Sequence, residues 1–210
     1  MTDGTQTPAD ACAWARIGTE LMLNAVAGFD EAGFSAPSVL PDWTRKHLVA
    51  HVAANADGLH NLVHWAATSE PTPMYASPEE RAAGIARGPS LSAGELRSWL
   101  TGSSEKLAVA LDRLTGEQWH REVVTAQGRT VPATELPWMR AREVCVHAVD
   151  LGTGVTFADL PDGFLAALAD EIRDRRQLTE LPDGPLPEVT AWLAGRPHSL
   201  ADAPELAPWL

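Results

Sequence analysis

Lysine is almost absent from the chain: Lys46 and Lys106 are the only two in 210 residues. Sixteen Lys and Arg stand against 28 Asp and Glu, giving a formal net charge of -12 and a pI near 4.9. That balance excludes the clustered basic surface that nucleic acid or an anionic membrane needs. Arginine is left as the main cation, and its planar fork grips carboxylates with two parallel hydrogen bonds. Cysteine is scarce too. Cys12 and Cys145 lie far apart without metal-type spacing, which excludes a disulfide framework and predicts reduced thiols in a cytosolic protein. No uninterrupted apolar run approaches the ~18 residues of a membrane span, and the N-terminus lacks a basic segment followed by an apolar core. The expectation is a soluble cytoplasmic protein, without internal repeats or low-complexity segments.

What is present is ordinary for a globular chain: 45% hydrophobic and 21% charged residues, enough for one large domain or a domain with an appendage. Apolar residues at helical spacing predict four long helices, near 9–29, 43–67, 93–114 and 137–150. Asp42 or Thr44 caps the second, and Ser92 with Glu95 opens the third. Ser77-Pro78-Glu79-Glu80 starts a shorter helix. Residues 33–41 read as a loop. The alternation in REVVTAQGRTVP around Gln127-Gly128 predicts a short hairpin or extended crossover between the third and fourth long helices. After Asp150 the composition turns to Gly, Asp and Pro. We therefore expect a bundle over 1–152 and a small C-terminal domain over 153–210 that packs on it, with helices over 164–176 and near 187–194.

The chemistry concentrates in LPWMRAREVCVHAVD, residues 136–150. Glu143 and His147 stand four positions apart, so on a helix both side chains reach one point. His51, on the second long helix, is the candidate for the missing third ligand. Two imidazoles and a carboxylate with open positions form a catalytic rather than a structural metal site. An intrahelical Glu–His hydrogen bond is the plainer reading of the spacing alone.

The runs DWTRKHLVAHVAANADGLHNLV, TPMYASPEERAAGI, LPWMRAREVCVHAVDLG and AWLAGR, in that order across about residues 40–196, resemble the mycothiol-dependent maleylpyruvate isomerase family. The resemblance implies a mainly α fold: a DinB-like four-helix bundle with a small α/β or irregular C-terminal appendage. It implies zinc, or another divalent metal, held by His51, Glu143 and His147, with mycothiol as the thiol cofactor. Thiolate addition to the cis-alkene of maleylpyruvate, rotation and expulsion would give fumarylpyruvate, a step of gentisate breakdown.

The resemblance also makes Arg196 a substrate or mycothiol contact and Arg81, in the matching loop-helix segment, a candidate anchor for the anionic substrate; Asp150, three residues beyond His147, is a candidate contact to the amine or sugar part of the thiol cofactor. Arg140 is read as an ion-pair partner orienting Glu143. His47 and Asn55, one turn either side of His51, either hydrogen-bond to it or form a solvated stripe. Cys145 points away from the ligands and reads as a core thiol. The expected partners are a small-molecule substrate and a low-molecular-weight thiol, with no nucleic acid and no membrane, in a monomer or homodimer. Two other readings stay open: a thiol S-transferase acting on an electrophile, and a metal-binding bundle without turnover.

Overall fold

The computed structural model describes residues 6–207 and 209. Its long helices are α1 (Pro8–Val26), α3 (Arg45–Thr68), α5 (Ala93–Asp112) and α6 (Leu136–Asp150), with short helices α2 (Glu31–Ser35) and α4 (Pro78–Arg87) between them. A two-stranded antiparallel hairpin, β1 (Glu122–Val124) and β2 (Thr130–Pro132), leads into α6, and α7 (Asp162–Arg176) and α8 (Leu186–Leu193) follow it.

Local chemistry sets most boundaries. Thr7 and Ser92 form reciprocal capping boxes with Asp10 and Glu95, satisfying amide groups that a helix start leaves without partners. Thr44, rather than Asp42, caps α3, and its box partner is His47, whose Nδ1 lies 2.8 Å from the Thr44 hydroxyl. His47 thus serves the helix start and is not a hydrogen-bond partner of His51. The expected loop over 33–41 begins instead as the end of α2. There Asp30 accepts a bond from the Gly33 amide, and Glu31 reaches across to the Ala93 amide and the Lys46 ammonium. The hairpin turns where Gln127-Gly128 placed it, with Gly128 at φ 77°.

The four long helices form a ring in which α1 packs on α6 and α3 on α5, with α3–α6 and α1–α5 contacts closing it. Successive long helices α1 and α3 lie across the bundle from each other, as do α5 and α6, so the connections within each of these pairs span it. One apolar core runs from Met22, Leu48, Leu96 and Val144 into Phe164, Leu165, Leu168 and Leu193. Trp14, Trp138 and Phe164 meet edge-on or tilted at centroid distances of 5.6–6.1 Å along that seam. The residues after 152 therefore share the bundle's core. They contain helices and irregular backbone, with no strand among the described residues.

Close approach of α1 to α6 depends on Gly18. A Cβ there would lie 2.6 Å from Val144 Cγ2 and 2.8 Å from the Cys145 amide nitrogen. Gly18→Ala is therefore expected to push α1 off α6 and cost about 1–3 kcal/mol. Urea unfolding of the variant checks this, and an unchanged midpoint would contradict the packing.

Candidate metal centre

His51 comes from the second turn of α3, and Glu143 and His147 from successive turns of α6, where the two helices face each other. The His51 Nε2 lies 2.9 Å from Glu143 Oε2, and the His147 Nε2 lies 3.4 Å from the same oxygen. One ligand atom from each residue falls within 4.8 Å of the other two. The imidazole rings cross at 84° with centroids 5.2 Å apart, so both present a nitrogen edge to the carboxylate.

Burial works against the Glu143 charge, but hydrogen bonds from His147 and His51 prevail and hold its carboxyl well below the usual carboxylate range. For His147 burial favours the neutral ring. The carboxylates of Asp150 and Glu143 outweigh it and raise the imidazole to about 9. Two imidazoles converge on a carboxylate that stays ionised, an arrangement of three donors able to hold a divalent cation with positions left for outside ligands.

A second set of contacts lies behind the three donors. Asp150, expected to touch the thiol cofactor, is wholly buried: Oδ2 lies 2.9 Å from His147 Nδ1 and 2.7 Å from Arg196 Nη2, and Oδ1 accepts from Arg196 Nε at 2.9 Å. Both oxygens are thus engaged away from the cavity. Arg196, expected to anchor substrate, is 4% exposed and turns its remaining donors to the Ala194 and Trp209 carbonyls. It holds Asp150, which holds His147, and so positions the ligand from behind.

Arg140 does not bond to Glu143. It is buried and donates to the Val52 carbonyl, Asn55 Oδ1 and the Ser104 hydroxyl, pinning α6 to α3 and α5. Asn55 is therefore a partner of Arg140. Cys145 is buried on the far side of α6, where desolvation pushes its thiol up to about 12 and removes it from ligand chemistry. Arg81 lies on α4, and its side chain is outside the described residues.

A cavity of about 200 Å³ opens beside His51 and Glu143. Besides the ligands, its walls come from Met74 and Tyr75 of the α3–α4 connection, Gln127 at the hairpin tip, Arg142 of α6, Arg175 of α7 and Trp209 of the tail. Gly58 lets that connection lie against α3, because a Cβ there would fall 2.9 Å from Met74 Cγ. Sequence reasoning missed Arg142, Arg175 and Trp209. The available signal was the i,i+4 pair Glu171 and Arg175, together with the position of Arg142 beside a ligand.

A helical bundle whose facing helices bring two imidazoles and a carboxylate to one point is a metal-site bundle in architecture. The chain belongs to the mycothiol maleylpyruvate isomerase family: the model of that family's N-terminal domain matches residues 9–152. A crystal structure of the mycothiol-dependent maleylpyruvate isomerase is 39% identical over the whole of both chains, with a TM-score of 0.88. A variant of a mycothiol-dependent maleylpyruvate isomerase with one histidine changed to alanine is 38% identical over the same extent, also at 0.88. YfiT from Bacillus subtilis, described as a probable metal-dependent hydrolase with an unusual four-helix bundle topology, is 16% identical and has a TM-score of 0.55. The match covers 70% of this chain and 89% of that one, and it shows a shared fold. No curated protein matches the sequence. No helix among the described residues is long and apolar enough to cross a membrane.

The Arg196–Asp150–His147 chain has a direct consequence for stability. Asp150→Asn leaves a buried guanidinium without its counter-charge, and a loss of about 3–5 kcal/mol is expected. Chemical denaturation of the metal-free variant beside the parent measures it, and a loss below 1 kcal/mol would show that the pair is not holding this region.

Proposed function

We propose that the chain isomerises maleylpyruvate to fumarylpyruvate, with mycothiol as a cofactor returned at each turnover and zinc at His51, Glu143 and His147. The observation carrying this reading is the convergence of those three donors, two of which line a cavity, in a chain 39% identical, end to end, to a mycothiol-dependent maleylpyruvate isomerase. The donor set fits the metal. Two imidazole nitrogens and one ionised carboxylate match the three-ligand pattern of catalytic zinc, and the carboxylate behind one histidine is a recurrent support for such ligands. Held by these three residues, a divalent cation would supply a lowered pKa to a thiol bound beside it; reversible addition of that thiol to the cis-alkene would leave a single bond free to rotate before the same thiol departs.

The chain's own residues prepare that chemistry. Asp150 accepts from Nδ1 of His147 and so directs Nε2 toward the centre. Glu143 supplies negative charge between the histidines, and its burial keeps that charge undiluted by water. Met74, Met139 and Trp209 give the cavity apolar surface, which limits water at the reacting carbons.

Following maleylpyruvate with the zinc-loaded protein, with and without catalytic mycothiol, while counting free thiol, tests the reading. Conversion with thiol conserved is the expected outcome. Thiol consumed in step with substrate would replace the isomerase by an S-transferase. His51→Ala and His147→Ala are each expected to lose bound zinc with helical content intact, and stoichiometric zinc in both would sink the ligand assignment.

The pH dependence has a definite sign. In the metal-free chain His147 keeps its proton up to about 9, and that proton must leave when Nε2 ligates. Zinc affinity is therefore expected to rise about tenfold per pH unit through neutrality and to level off above 9. Chelator competition across that range checks the slope.

A further inference from the structure

The wall of the metal cavity carries two guanidinium groups that the triad does not explain. Arg142 from α6 and Arg175 from α7 both line it, and both pair with the same oxygen of a single carboxylate, Glu171 Oε1. The other oxygen of Glu171 accepts from Trp138 Nε1 at 2.6 Å. One carboxylate thus orients two cations in a chain whose net charge is -12, with Glu143 the other ionised carboxylate beside the cavity.

Two further features favour an incoming anion over a self-contained ion pair. The Nε of Arg142 is buried and has no hydrogen-bond partner among the described residues. The ring of Trp209 is flanked by both guanidinium groups, at 5.6 Å from Arg142 and 6.0 Å from Arg175, which gathers them at the cavity wall. Arg175 remains half-exposed, so a ligand entering the cavity meets it without the chain first opening. Arg196, fully occupied behind His147, leaves the anchoring role to other cations.

Resting on the assignment of this cavity as the reaction site, we propose that Arg142 and Arg175 form the subsite for a carboxylate of the electrophilic substrate. Glu171 sets their spacing and Trp209 backs them. Planar forks suit this task, because a carboxylate takes two parallel N–H bonds from guanidinium in a way an ammonium cannot match. The subsite selects dicarboxylic and keto-acid electrophiles over neutral ones. It leaves the thiol to be recognised elsewhere.

The experiment uses the intact zinc-loaded protein and the Arg175→Gln variant, whose exposed side chain makes it the safer substitution for folding. Kinetics with maleylpyruvate should show KM for the diacid raised tenfold or more, with KM for mycothiol and bound zinc unchanged. In parallel, tryptophan fluorescence is titrated with succinate, a saturated dicarboxylate to which no thiol adds, and with neutral succinamide. Succinate should perturb the parent and lose at least tenfold in affinity in Arg175→Gln, while succinamide perturbs neither. Equal succinate binding by both proteins, or an unchanged KM for the diacid, would overturn the subsite. Selective succinate binding without turnover of maleylpyruvate would keep the subsite and remove the isomerase reading, so the two failures are told apart.

Discussion

The arrangement depends first on a buried charge. Asp150 has no exposure, and an ionised carboxylate in that position costs several kcal/mol unless it is paired and hydrogen-bonded. Arg196 meets it with two parallel bonds and His147 with a third. Because Arg196 lies beyond α8 and also gathers the Ala194 and Trp209 carbonyls, neutralising Asp150 fastens the end of the chain behind a ligand histidine. The same fastening brings the ring of Trp209 to the cavity wall, helped by the hydrogen bond that the Trp209 N–H donates to the Ala194 carbonyl. Ligand orientation and cavity shape are therefore coupled through one ion pair.

The shortage of lysine takes on meaning against this background. Arg140, Arg142 and Arg196 are all largely buried, and each is held by several directed acceptors or a shared carboxylate. A planar, always-charged group with five donors can be satisfied in that way inside a protein, whereas a compact ammonium loses its charge more readily when desolvated. Burial lowers Arg140 to about 10, which still leaves it charged at neutral pH. It spans α3, α5 and α6 one turn from Glu143, and so fixes the angle at which the ligand-bearing helices meet. The acidic surface and the cationic interior are separate solutions to separate problems.

The helices were legible because a 3.6-residue apolar period and capping residues act locally, and the hairpin because its Gly turn does. The triad was legible for a related reason: an i,i+4 pair fixes two ligands on one face, and the family motifs place His51 opposite them. Second contacts were not. Asp150 and Arg196 were recognised as belonging to the site, but sequence spacing does not reveal that each fills the other's hydrogen-bonding capacity. Arg142 was hidden by its position, since neighbours on a helix point about 100° apart and the residue beside a ligand is by default assigned elsewhere. The helix α2 depends on Glu31 meeting Lys46 and Ala93, contacts that span long stretches of sequence, although Asp30 offered a local capping signal.

The centre divides its tasks by element. His51, Glu143 and His147 stand on helices whose mutual packing is set by core side chains, so the geometry of the three donors is rigid. The facing wall is assembled from segments with freer geometry: Met74 and Tyr75 in a connection, Gln127 at a turn, Trp209 in the tail. A fold of this kind can keep one metal arrangement while the covering segments change what enters, which is why the bundle alone does not determine a reaction. In this chain the likeness to the isomerase structure extends across the whole length, covering segments included. On the proposed reading, selection of the electrophile falls to those segments and to the paired arginines beside them, where charge and shape are set independently of the three donors.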